Sequence, residues 1–182
     1  MNKGPLFESL RSIGKDIENK KISPVEITKY YLDRLHKLGP EYNSVATITE
    51  QLALHQATLA EEEIMAGRYK GILHGIPFGA KDLLATKYGI PTTWGAEPFR
   101  NQIFDYNSTV IERLCDSGAI LVAKLAMIEL AGGMGYRQPN ASLTGPCKSP
   151  WDKNTWAGGS SSGSGSAVGT GLVPFAIGSE TW

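Results

Sequence analysis

Two lysines and a run of glycines and serines carry most of the chemical potential of this 182-residue chain. Lys81 follows the apolar stretch 72–80, and Lys124 follows a second one at 119–123. A lysine at the end of a buried strand is pulled into a desolvated position, which favours the neutral amine, and a neutral amine can act as a general base. Nine consecutive Gly and Ser residues, 158–166, run directly into Ala167, Val168 and Leu172. A glycine-rich approach to a helix N-terminus leaves main-chain N–H groups free and sets hydroxyls beside them, a setting suited to a developing oxyanion. Serine needs a neighbouring base to become reactive. The three histidines, His36, His55 and His74, suggest no Ser-His-Asp set, so lysine is the better partner.

Each of these features also has a structural reading. A strand-end lysine can reach back to water and pair with a carboxylate such as Asp82, and pattern alone does not choose between Lys81 and Lys124. A Gly/Ser run is ordinarily a flexible linker. The run lacks the lysine that a Walker loop places after its last glycine, the dinucleotide fingerprint is absent, and there is no G-x-S-x-G elbow. Met134, within Gly132-Gly133-Met134-Gly135, reads either as part of an apolar pocket wall or as gap filler in a turn.

The elements that must position these residues follow from periodicity. Leu6, Leu10, Ile13 and Ile17 recur at helical spacing. Ser23-Pro24-Val25-Glu26 has the form of a capping box, and the helix it opens carries Ile27, Tyr31, Leu35 and Leu38 up to a break expected at Gly39-Pro40. Residues 45–49 suit a short strand, and Ala53, Ala57, Ala60 and Ile64 mark a third helix ending near Gly67. From Gly71 onward a strand delivers Lys81-Asp82. A helix capped by Asn107 or Ser108 then stops at Gly118, and another buried strand follows, which predicts a parallel βαβ crossover. A second crossover is expected through the Gly/Ser loop and a short helix to a strand at 173–177. Lys81, Lys124 and the Gly178-Ser179-Glu180-Thr181 turn would then gather outside the carboxyl ends of the strands, where such sheets bind ligands.

Eighteen basic and eighteen acidic side chains cancel, so no large electrostatic footprint for nucleic acid or anionic lipid is expected. Cys115 and Cys147 have neither metal-ligand spacing nor the density of a disulfide framework. No run of about eighteen apolar residues occurs. The simplest expectation is a soluble, reduced, cytoplasmic protein without metal or cofactor.

Several motifs together resemble one family. Gly158-Gly159-Ser160-Ser161-Ser162-Gly163-Ser164, followed by Gly178-Ser179-Glu180-Thr181, is similar to the signature of the amidase signature family. Gly75-Ile76-Pro77-Phe78-Gly79-Ala80-Lys81-Asp82 looks like that family's lysine motif. Ser23-Pro24-Val25-Glu26 and Pro150-Trp151-Asp152 extend the likeness over nearly the whole chain. The resemblance implies an α/β fold with a central mixed β-sheet flanked by helices and a helical N-terminal region. The chain would be the N-terminal fragment of a single amidase domain, with residues 1–70 mainly helical and 71–182 the first part of the core.

The resemblance also implies a Ser, cis-Ser and Lys triad, with Lys81 as base and Ser160 as the serine with a cis peptide bond. Ser161 would help orient the lysine, main-chain N–H groups at Thr181 and Trp182 would meet the oxyanion, and Met134 would line the substrate pocket. The nucleophile would fall about two positions past Trp182, so this segment is expected to be inactive alone and to lack the C-terminal part of the fold. The implied activity is hydrolysis of a small-molecule amide through an acyl-enzyme, without cofactor, with a homodimer as the candidate assembly. The alternative within the family is the glutaminase component (the A chain type) of a tRNA-dependent amidotransferase, with B and C subunits as partners. Ile128-Glu129-Leu130 and Glu180-Thr181-Trp182 depart from the usual forms of that component and favour the amidase. A scaffold that keeps the fold without catalysis is disfavoured by the presence of both Lys81 and Ser160.

Overall fold

The computed structural model describes residues 5–134 and 137–180. Three helices come first. Helix α1 (Leu10–Glu18) is capped by the Ser9 side chain, which accepts from Ser12 N–H. Helix α2 (Pro24–Tyr42) opens as the capping motif predicts, with the Ser23 side chain accepting from the N–H groups of Val25 and Glu26. It does not break at Gly39-Pro40. Pro40 removes one intrahelical donor in the last turn, and the chain stays helical to Tyr42 before Asn43, at φ 51°, ends it. Gly39 serves a close approach, since a Cβ there would lie 3.0 Å from Val45 Cγ2. After strand β1 (Val45–Ile48), helix α3 (Glu50–Met65) presents Ala53, Ala57, Ala60 and Ile64 to the core.

The core half alternates strand and helix. Strand β2 (Pro77–Lys81) is buried throughout and is shorter than the apolar run that precedes Lys81, because residues 72–75 are spent in a turn. Helix α4 (Thr109–Asp116), with Ser108 as N-cap, leads to β3 (Ile120–Leu125), and β2 and β3 pair in parallel. Helix α5 (Ser162–Gly169) leads to β4 (Ala176–Ile177), which pairs in parallel with β2. The sheet order is β1-β3-β2-β4, with β1 antiparallel to β3, so the sheet is mixed. Both crossovers form as expected, although β4 settles beside β2 rather than β3 and is only two residues long.

Packing explains the layers. Leu32 and Leu35 of α2, Ala53 and Ala57 of α3, Ile120 and Val122 of β3, and Ala167 of α5 form one cluster. Phe78 and Ala80 of β2, Ile111 of α4 and Leu121 form another. Leu121 thus serves the face opposite that of Ile120 and Val122, as strand alternation requires. Ile13, Ile17, Ile27, Tyr31, Ile64 and Ile76 join α1, α2 and α3 to the residue before β2. Among the described residues no helix is long and apolar enough to cross a membrane.

The Gly/Ser run is not a linker. Helix α5 begins at Ser162, inside the run, so half of it is helical. Small residues are required there, because a Cβ on Gly163 would lie 2.4 and 2.5 Å from Ala126 N and O and 2.6 Å from Ser44 O. The helix N-terminus therefore sits directly on the backbone after β3, held by Gly163 N–H donating to Ala126 O at 2.8 Å.

Candidate active site

Lys81 is the last residue of β2, flanked by β3 and β4, and its side chain is fully buried. Its Nζ donates to Ser160 Oγ at 2.7 Å and to Ser179 Oγ at 2.8 Å. Burial holds the amine below the ordinary lysine range, and the negative charge of Glu180 works in the opposite direction. The structure thus brings together the strand-end lysine, the first serine of the Gly/Ser run and the serine of the turn after β4.

Ser160 is positioned by backbone. Its carbonyl accepts from Ile128 N–H at 3.0 Å, and the Gly159–Ser160 peptide bond is cis. Gly159 allows the approach, since a Cβ there would meet Ile128 Cδ1 at 2.2 Å. Among the described residues Ser161 makes no hydrogen bond to Lys81. Its hydroxyl donates to Ser179 O and accepts from Ser179 N–H, each at 3.0 Å. Ser164 Oγ donates to Ile177 O at 3.1 Å. Serines of α5 and its N-cap therefore staple the chain after β4 to the Gly/Ser loop, at the carboxyl ends of β2 and β4.

The two lysines that looked alike in sequence have different surroundings. Lys124, also fully buried, lies 3.0 Å from Asp82 Oδ1 in an ion pair and donates to Thr92 Oγ1 at 2.8 Å and Pro91 O at 3.3 Å. Asp82 Oδ2 accepts from the N–H of Thr93 at 3.0 Å and from the Thr93 hydroxyl. Burial pulls Lys124 below its usual range and the Asp82 carboxylate opposes it. The carboxylate next to Lys81 in sequence thus belongs to the other lysine. Lys124 lies opposite Ala80 in the β2–β3 register, so it and Lys81 point to opposite faces of the sheet.

Met134 is 73% exposed, in a turn where Leu130, Ala131 and Met134 all have positive φ. Thr181 and Trp182 lie outside the described residues. Sequence reasoning treats Ser179 as a turn residue only. The signal that could have found it is register: Ala80 pairs with Ile177, which sets Ser179 beside the residues after Ala80, and no periodicity specifies that pairing.

A model of the amidase family matches residues 26–181. The chain belongs to the amidase signature family. It is 41% identical over 174 residues to the A subunit of glutamyl-tRNA(Gln) amidotransferase from Coxiella burnetii, covering 96% of this chain and 35% of that protein. Among solved structures it resembles the native peptide amidase of Stenotrophomonas maltophilia, with TM-score 0.87, 25% identity, and coverage of 94% of this chain and 36% of that one. An amidase family protein from Bacillus anthracis gives TM-score 0.87 at 30% identity, covering 96% of this chain and 35% of its own. This amidase signature chain thus spans about a third of the length of the relatives it matches. The expected α/β architecture, a mixed sheet flanked by helices, is the one observed.

Proposed function

We propose that this amidase signature chain serves the hydrolysis of a carboxylic acid amide to acid and ammonia or amine, with Lys81 as base and Ser160 as the serine that passes the proton. The observation that carries the reading is the 2.7 Å contact between a fully buried Lys81 and Ser160. Desolvation favours the neutral amine at that position, which is the state a base needs. Lys81 takes the Ser160 proton as Ser160 takes one from a nucleophilic serine, which the family motif sets about two positions beyond Trp182. That serine attacks the amide carbonyl, the amine leaves with a proton returned along the same path, and water releases the acid from the acyl-enzyme. Main-chain N–H groups at Thr181 and Trp182 are assigned to the oxyanion, at about 3 kcal/mol per donor. Met134 is assigned to the apolar side of the substrate site. No step in this scheme calls for a metal or cofactor.

A second reading is favoured by the 41% identity to the A subunit of an amidotransferase. On it, the amide is glutamine and the ammonia passes to a partner protein.

The complete reading frame, reacted with a serine-directed fluorophosphonate, tests the chemistry. We expect strong labelling that is lost in Lys81→Ala and Ser160→Ala; a folded full-length protein that does not label would reject it. Co-purification of stoichiometric partner subunits, with glutamine as the preferred substrate, would replace the first reading by the second.

A further inference from the structure

Ser179 is left over by the triad, yet its hydroxyl lies as close to Lys81 as that of Ser160 does: 2.8 Å against 2.7 Å. A neutral primary amine has two N–H donors and one lone pair. To act as a base toward Ser160 it must aim the lone pair at that hydroxyl, and a buried amine with no second acceptor would spend an N–H there instead. Ser179 supplies the second acceptor. A hydroxyl oxygen carries two lone pairs, so Ser179 can accept from Lys81 while its own proton turns away from the amine.

The position of Ser179 is built. Ser161 grips its backbone at both N–H and C=O, and Ser164 grips the carbonyl two residues earlier. Gly178 makes room for this grip, since a Cβ there would lie 2.8 Å from Ser161 Oγ. Helix α5 and the end of β4 are thus fixed to one another, with the Ser179 hydroxyl facing Lys81.

We propose that Ser179 is a positioning residue for Lys81, accepting one N–H of the amine so that its lone pair is directed at Ser160, with Ser161 holding Ser179 in place. The proposal rests on the reading of Lys81 as the base, and it assigns Ser161 an indirect role, through Ser179.

The test is NMR of the 182-residue chain carrying 13C,15N-lysine, with the Lys81 signal assigned by its loss in Lys81→Met. Ser179→Ala removes an acceptor for the ammonium, so the Lys81 titration midpoint should fall by about half a unit or more. Ser179→Thr, which keeps the hydroxyl, should restore it. An unchanged midpoint in a folded Ser179→Ala chain, or a Ser179→Thr chain that behaves like Ser179→Ala, overturns the proposal. Should Ser179→Ala fail to fold, the wild-type chain decides: cross-relaxation between the Lys81 Hε and Ser179 Hβ protons is expected, and its absence overturns the proposal. Ser160→Ala run alongside separates the two readings. A midpoint that ignores Ser160 but responds to Ser179 removes the base assignment and leaves the Ser179 contact standing.

Discussion

Lys81 is the last residue of β2 and Lys124 the last but one of β3, in almost identical apolar sequence contexts, yet their replacement should have opposite consequences. Lys81 meets hydroxyls and Lys124 meets a buried carboxylate. Lys81→Met removes a desolvated amine whose serine partners can turn to water, so at pH 7 the chain should keep its stability to within about 1 kcal/mol or gain some. Lys124→Met leaves Asp82 charged, buried and unpaired, and should cost about 3–5 kcal/mol; adding Asp82→Asn should recover a large part of that. Urea unfolding of the three variants checks both statements. The same comparison carries a pH signature. The Lys81 folded pKa lies below its unfolded value, so between the two the unfolded chain holds the extra proton and stability rises with pH. Urea midpoints measured from pH 7 to 10 should therefore rise more steeply in wild type than in Lys81→Met. Sequence motifs single out Lys81 and Ser160, which the fold brings into contact, but not which lysine owns Asp82, nor the second hydroxyl at Lys81. Both depend on which strand neighbours which and in what register, and those contacts are long-range.

At the scale of elements, α5 shows how a run that reads as a linker becomes part of the site. Gly residues in helices ordinarily cost about 1 kcal/mol relative to Ala, so a Gly→Ala change there ordinarily stabilises. At Gly165, where a Cβ would meet nothing within 4 Å, that gain is expected. At Gly163 the sign should reverse, because the new methyl would press on the backbone of Ala126 and Ser44. Thermal melts of the two single variants, Tm up for Gly165→Ala and down for Gly163→Ala, test whether the run is shaped by close approach. The segment between α3 and β2 supplies a second case. His74 is fully buried; its Nδ1 accepts from Lys70 N–H at 3.0 Å, and its Nε2 lies 3.1 Å from Glu63 Oε2, which assigns the proton to Nε2. Burial holds His74 below its usual pKa, against the pull of Glu63. The unfolded chain therefore takes up a proton first as pH falls below about 6.5, the unperturbed histidine value. The stability associated with a neutral His74 is present above that pH and is lost toward the lower folded pKa. Amide protection factors at residues 70–76, taken relative to intrinsic exchange at each pH, should fall between pH 7 and 5, and a His74→Gln chain should lose that fall. Helix and strand identities are readable from periodicity and caps. The persistence of α2 through Pro40 and the early start of α5 are not, because close packing against Val45 and Ala126, rather than local propensity, decides them.

For the molecule as a whole, the question is whether the helical first part and the strand-bearing second part form one cooperative unit, as the proposed single amidase domain requires. The packing supports that proposal. One cluster takes Leu32 and Leu35 from α2, Ala53 and Ala57 from α3, and Ile120, Val122, Ala167 and Leu172 from the later part. Arg34 adds a polar tie: its Nε donates to Gly171 O at 2.7 Å and its Nη2 to Thr170 O at 3.0 Å, so a guanidinium from α2 serves the carbonyl end of α5. Neither part can open without exposing apolar surface of the other. The distribution of chromophores makes this measurable. All four tryptophans, Trp94, Trp151, Trp156 and Trp182, lie in the second part, while α1, α2 and α3, of 9, 19 and 16 residues, dominate the helical signal. Tryptophan fluorescence and far-UV circular dichroism therefore report different parts, and in a urea titration they should give one midpoint. Arg34→Ala should move both probes together, by a loss of about 1–3 kcal/mol, and Arg34→Lys should restore only part of it, because a lysine cannot reach both carbonyls as a planar fork does. Two separated midpoints in the wild-type chain would mean that the helical part is an independent unit. Helix α5, and with it the hydroxyls around Lys81, would then owe nothing to α2.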